Sequence, residues 1–261
     1  MKQREWRLRS RPYLAFWTAA CVVVASVPAS ATWSIVAVDT RTREVGIAAA
    51  TCYPGSYTIA GVVPGRGVVS AQGLTSQPAR DRAIALLAEG TSTPAILESI
   101  TSSQVDNDWF FKRWLRQYGV ASLADSKSLA QAYTGPLALP HRGDRQAPGV
   151  SVQGNVLRAG VLDAALSGFA SAPKECGLAF SLLVALEAGA AAGGDRRCSK
   201  EQTALSAFLI VARPDDSPGQ LFVRVVAPDQ KEGGDNPVEV LGELFRESIS
   251  ASGLLPVACG N

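Results

Sequence analysis

Two apolar runs around a polar turn constrain this chain most. TWSIVAVD (32–39) alternates and is rich in β-branched residues, TRTRE (40–44) is polar, and VGIAAATC (45–52) is a second apolar run. The pattern predicts a β-hairpin. Further along, GVVSAQG (67–73) reads as a strand, and YGVASLAD with SLAQAYTG (118–135) reads as a second hairpin turning near Ser126-Lys127. GVSVQGNVL (149–157) begins as a strand, and ALSAFLIVAR with QLFVRVVAP pair as late strands (204–228). Sheets assembled from hairpins are antiparallel.

Helical segments separate the strands. SQPARDRAIALLAEG (76–90) reads as a helix closed by Gly90, and TSTPAILESI as another, with Thr93 as cap and Pro94 at the first position. DWFFKRWLRQ (108–117) has aromatics at helical spacing and reads as a packed amphipathic helix or loop. A helix is expected around Val161–Phe169, a long apolar one over CGLAFSLLVALEAGAAAGG (176–194), and an amphipathic one over NPVEVLGELFRESI, capped by Asn236. LPHRGDRQAPG (139–149) reads as a polar loop. Helices this apolar cover sheet faces, so the fold class is α+β, largely antiparallel sheets with helices outside.

The first 31 residues are of another kind. Lys2, Arg4, Arg7, Arg9 and Arg11 form a basic head, an apolar run extends from Tyr13 to Val27, and Ala29-Ser30-Ala31 closes it. These are the parts of a cleavable signal peptide. The run of about 15 residues is shorter than the roughly 20 that span a bilayer, which disfavours an uncleaved anchor. Residues 1–31 are therefore expected to be a signal peptide cut by signal peptidase. Residues 32–261 are expected to form one domain, exported to the periplasm or the medium. Residues 1–31 hold five of the 25 basic and one of the 23 acidic residues, which leaves 20 and 22, a net −2. That balance gives no reason to expect a nucleic-acid partner. Cys52, Cys176, Cys198 and Cys259 remain, an even number that suggests two disulfides in any of three pairings. With one histidine, His141, and no Cys-x-x-Cys, neither a metal site nor a cofactor is expected. A homo-oligomer is compatible with the sequence.

A cut after Ala31 would make Thr32 the first residue. A terminal threonine carries its own base, because an α-amine titrates near a pKa of about 7.7–8.0 and is partly neutral at pH 7. A Cys52–His141 pair is the other conceivable nucleophile and base, although a disulfide is the more natural fate of Cys52.

Read together, TWSIVAVDTRTREVGIAAATC, GVVPGRGVVSAQG, HRGDRQAPGVSVQGNVL and AAGGDRR resemble the bacterial family called domain of unknown function 1028. The resemblance implies an Ntn-hydrolase-like fold, a four-layer αββα sandwich, with Thr32 as nucleophile. It places Thr51 at the end of the second strand, near that nucleophile. Where this chain has Thr51-Cys52, the family pattern is Ser-Lys, so a lysine that would tune the amine is absent. Asn155, or the backbone beside Gly154, is implied as an oxyanion donor. Gln72, Gln153, Gly154, Asp195 and Arg196 are implied to line the site, and Arg142 to clamp a substrate carboxylate. The implied reaction is hydrolysis of a small-molecule or peptide amide. The alternative is a non-catalytic binding or structural module in the envelope.

Overall fold

The computed structural model describes residues 32–105, 111–127, 129–217, 219–252 and Cys259. The expected signal peptide lies outside the described residues. The fold is mixed α+β, with two antiparallel sheets and five α-helices among the described residues.

The first hairpin forms as the sequence requires. β1 (Thr32–Val38) pairs with β2 (Val45–Thr51), Trp33 lying opposite Ala50 and Val38 opposite Val45. β3 (Ala60–Val63), β4 (Gly67–Gly73), β5 (Arg116–Ser122) and β6 (Ala130–Thr134) make one sheet in that order. The other sheet runs β10-β9-β2-β1-β8-β7, with β7 Gly143–Ala147, β8 Val150–Asn155, β9 Ser206–Ala212 and β10 Val223–Val226. β1 thus sits in the middle of its sheet, between β2 and β8.

Side-chain alternation sorts the core. Trp33, Ile35 and Ala37 pack with residues of α3 (Val161–Ser171), α4 (Gly177–Ala191) and α5 (Pro237–Ser252). In the other phase of β1, Val36 and Val38 join Ile47, Phe208 and Ile210 against Val68 and Ala121 of the smaller sheet. Val69, Ala71, Tyr118 and Val120 pack on α1 (Gln77–Ala88) and α2 (Thr93–Ile100). The helix α4 is apolar nearly all round because it packs against α3, α5 and the larger sheet at once.

Trp33 is fully buried, and two glycines admit its ring. A Cβ at Gly189 would lie 2.8 Å from Trp33 Nε1, and one at Gly194 would lie 2.9 Å from Cη2. Gly189→Ala is therefore expected to destabilise by up to about 2 kcal/mol. Overpacking costs about 1–3 kcal/mol and outweighs the gain of about 1 kcal/mol in helix propensity. Thermal unfolding checks this; a rise in melting temperature would contradict it.

Several expectations need correction. HRGDRQAPG is not simply a loop: Gly143–Ala147 is the edge strand β7, paired with β8. Its charged, half-exposed residues suit an edge and hide the strand from a hydrophobicity reading. DWFFKRWLRQ is not a helix over its described part. Lys112–Leu115 is a 3-10 turn, and Arg116-Gln117 already belong to β5. Thr93 does not cap α2; Ser92 holds that position and the Thr93 hydroxyl donates to Leu129 O at 3.1 Å. By contrast, Asn236 Oδ1 accepts from Val238 N at 3.2 Å, as its capping position requires.

Candidate functional site

Thr32 opens β1 and is 1% exposed. It lies across the ladder from Asn155, the last residue of β8. Towards this end of β1, the layer between the sheets changes character. The apolar side chains give way to Ser34, Ser70, Gln72, Gln117, Ser151, Gln153 and Asn155, all fully buried.

None of these side chains is charged, so burial demands that amides and hydroxyls satisfy one another. Gln72 Oε1 accepts from Ser34 Oγ at 2.6 Å and Ser70 Oγ at 3.0 Å. Gln72 Nε2 donates to Gln117 Oε1 at 2.9 Å and to Thr32 O and Gln153 O, each at 3.3 Å. Gln153 Nε2 donates to Ser34 Oγ at 2.6 Å, and its Oε1 accepts from Ser151 Oγ at 3.0 Å. Gln117 Nε2 donates to Thr134 Oγ1, Gly143 O and Gly154 O at 2.9, 3.1 and 3.0 Å. Gly119 leaves room for this arrangement, since any Cβ there would overlap the amide of Gln153.

Three glutamines and one asparagine thus surround the Thr32 end of β1. The backbone carbonyls fix their orientation, because a carbonyl only accepts. Gln117 Nε2 faces Gly143 O and Gly154 O, so Gln117 Oε1 must be the atom facing Asn155. Asn155 therefore presents Nδ2, which donates to Gln117 Oε1 at 3.1 Å. Asn155 Oδ1 is buried and has no hydrogen-bond partner. The resemblance implies Asn155 as an oxyanion donor; in this arrangement one of its two Nδ2 hydrogens goes to Gln117 Oε1, and the atom left without any partner is the acceptor Oδ1.

The other expected site residues divide into two groups. Thr51 ends β2 beside this region, pairs with Ser206, and accepts from Arg197 Nη2 at 3.4 Å. Asp195 is fully buried and takes Cys52 N on Oδ2 at 2.9 Å. Its ion-pair partner is Arg197, at 2.7 Å, and not Arg196, which is exposed. Asp195–Arg197 therefore braces the turn that ends at Cys198. Gly154 lies opposite Trp33, where a Cβ would meet Leu157 and come within 2.9 Å of Thr32 O. Arg142 is exposed and donates to Pro136 O at 2.7 Å, so it holds a loop in this structure. Beside it, Arg145 is bonded by Asp163, which raises the guanidinium above its ordinary pKa.

The segments that carry the resemblance meet just beyond Asn155. Val156 N donates to Pro140 O, Leu157 N to His141 O, Arg196 N to Val156 O, and Arg158 N to Gly194 O. The Cys52–Cys198 disulfide closes this region across 146 residues, and Cys176–Cys259 ties the start of α4 to the end of the chain. With Cys52 bonded to Cys198, the Cys52–His141 pair has no free thiol to act as nucleophile. Replacing Cys52 and Cys198 by Ala is expected to cost about 2–5 kcal/mol, the usual range for a native disulfide. Denaturant unfolding of the double variant measures it; an unchanged midpoint would contradict it. Among the described residues, no cluster of three or more His, Cys, Asp or Glu is placed to hold a metal ion.

Gln117 was not expected at this site, nor were Ser34, Ser70 and Arg197. A signal for Gln117 was present: SAQG, RQYG and VQGN each place a glutamine beside or near a glycine in a strand.

A mixed two-sheet domain whose central strand opens onto a buried, uncharged polar layer is the class that fold and site define. The chain belongs to the DUF1028 family, a family of unknown function, which it matches over residues 32–232. Among solved structures, it is similar to protein SPO2555 from Silicibacter pomeroyi, a DUF1028 protein. The identity is 25% and the TM-score 0.67, covering 84% of this chain and 90% of that one. No curated protein matches the chain.

Proposed function

We propose that the protein is an exported amidohydrolase of the N-terminal-nucleophile kind, with Thr32 Oγ as nucleophile. On this reading the two sheets and their helices form the four-layer αββα sandwich of Ntn hydrolases. The observation that carries the proposal is a coincidence of three positions. The family match begins at Thr32, the small-residue end of the basic and apolar leader falls at Ala31, and Thr32 stands in a central strand.

The chemistry needs no group outside the chain except substrate and water. The neutral α-amine of Thr32 takes the proton of Oγ as Oγ attacks the amide carbonyl. The tetrahedral adduct collapses to an acyl-enzyme as that proton passes to the leaving nitrogen. The same amine then deprotonates water, which attacks the ester and releases the acid, and the proton returns to Oγ. Before cleavage the Thr32 nitrogen is an amide and cannot act as base, so activity is coupled to export. Peptides, N-acyl amino acids and cell-wall fragments all contain the required bond.

Two observations favour a binding or structural module instead. Thr32 is almost fully buried in the full chain, and Cys52, tied to Cys198, stands where the family pattern has lysine. The mass of the N-terminal peptide of the exported protein, together with labelling by an acyl-trapping electrophile, decides between the two. A start at Thr32 and an adduct on it support the enzyme. A start elsewhere removes the mechanism, and a Thr32 start without adduct supports the module.

A further inference from the structure

Every amide in the polar layer is accounted for except one atom. Gln72, Gln117 and Gln153 use both their donors and their acceptors within the protein. Asn155 gives one Nδ2 hydrogen to Gln117 Oε1, and Asn155 Oδ1 is left buried without a partner. A buried acceptor of this kind costs roughly 1–3 kcal/mol, so native proteins seldom keep one without a reason. Its orientation is not adjustable, because turning the Asn155 amide would set its oxygen against Gln117 Oε1, which two backbone carbonyls hold in place.

The missing donor is identifiable from the register. Thr32 is directly across from Asn155, and both side chains point into the layer between the sheets. In the uncut chain the Thr32 nitrogen has a single N–H. Cleavage after Ala31 turns it into an ammonium with three, or a neutral amine with two, and the new donors arise beside the unused acceptor.

We infer that Asn155 Oδ1 is the docking point of the Thr32 α-amine, so that removal of the leader completes the buried hydrogen-bond network. Asn155 is then a positioning residue, holding the amine that serves as base, and the mature chain is more stable than the uncut one at this site. The inference rests on cleavage at Ala31 but not on any turnover. The three apolar cores are built from Trp33 onward, so a chain starting at Thr32 contains all of them.

The test is a thermodynamic cycle on unfolding at pH 7 with disulfides intact. Two chains are compared, one starting at Thr32 and one retaining Ala31 with an acetylated terminus, each with Asn155 and with Asn155→Leu. The loss of the Gln117 contact is common to both chains and cancels. The expected result is that Asn155→Leu lowers the folded-to-unfolded ratio at least about tenfold more in the Thr32 chain, as for a hydrogen bond to a charged group. Equal losses within about twofold would overturn the inference. If Asn155→Leu does not fold, Asn155→Ser serves, being polar but too short to span the strand pair. A second readout is acetylation of the Thr32 amine, which Asn155→Ser should accelerate. An unchanged rate would also overturn the inference. Electrophile labelling of Thr32 is scored separately: labelling without coupling removes only this inference, and coupling without labelling removes only the hydrolase reading.

Discussion

A chain beginning at Thr32 will take one equivalent of an acyl-trapping electrophile on Thr32, and Thr32→Ala will take none there. The same chain with Ala31 retained will react at background, because its nitrogen is an amide. A positioned general base contributes about 10²–10⁴-fold, so the drop in labelling rate on retaining Ala31 should fall in that range. The pH profile follows from the base. Only the neutral amine accepts the Oγ proton, so labelling should rise with pH through the α-amine pKa, about 7.7–8.0 unperturbed, and level off above it. Intact-mass measurement over a pH series reads all of this. Adduct on the Ala31-retaining chain at an equal rate would show that the terminal amine is not the base. Absence of adduct on any form would leave the non-catalytic module.

Much of the architecture was legible because hairpins and caps are local. TWSIVAVD-TRTRE-VGIAAATC encodes its own register, and Gly90, Gly193-Gly194 and Asn236 punctuate helices where the structure ends or begins them. What escaped was set by distant neighbours. GDRQA is too polar to announce a strand, and becomes β7 only because β8 offers it a ladder. The four cysteines allowed three pairings, and only the fold brings Cys52 to Cys198. The site shows the same division. Thr32, Gln72, Gln153 and Asn155 were each singled out from their segments, yet which atom of Asn155 is free depends on Gln117, 38 residues away. The partner of Asp195 illustrates the limit most directly: adjacency in GGDRR suggests Arg196, while the turn delivers Arg197.

Gln117→Leu should be among the most damaging single substitutions in the protein, with an expected loss of about 3–5 kcal/mol. The side chain is similar in size, so the cost comes from orphaned polar atoms rather than from a cavity. The substitution withdraws a donor from Gly143 O and Gly154 O, and it withdraws the acceptor used by Asn155 Nδ2. Gln72 suffers less, since its Nε2 retains Thr32 O and Gln153 O. The Asn155 amide left unpaired at about 1–3 kcal/mol, with about 0.5–1.5 kcal/mol for each of the two bonds lost to carbonyls that keep their ladder partners, exceeds what the added apolar burial of Leu returns. For a domain of this size, about 2–4 °C per kcal/mol converts the loss to a fall of about 10 °C in melting temperature. The double variant Gln117→Leu/Asn155→Leu removes the orphaned Asn155 as well, so its loss should fall short of the sum of the two single losses by about 1–2 kcal/mol. Strict additivity, or a Gln117→Leu loss below about 1 kcal/mol, would mean that water enters the layer and meets these groups. The polar layer would then be a wet cleft and not the closed amide lattice that fixes the acceptor facing Thr32.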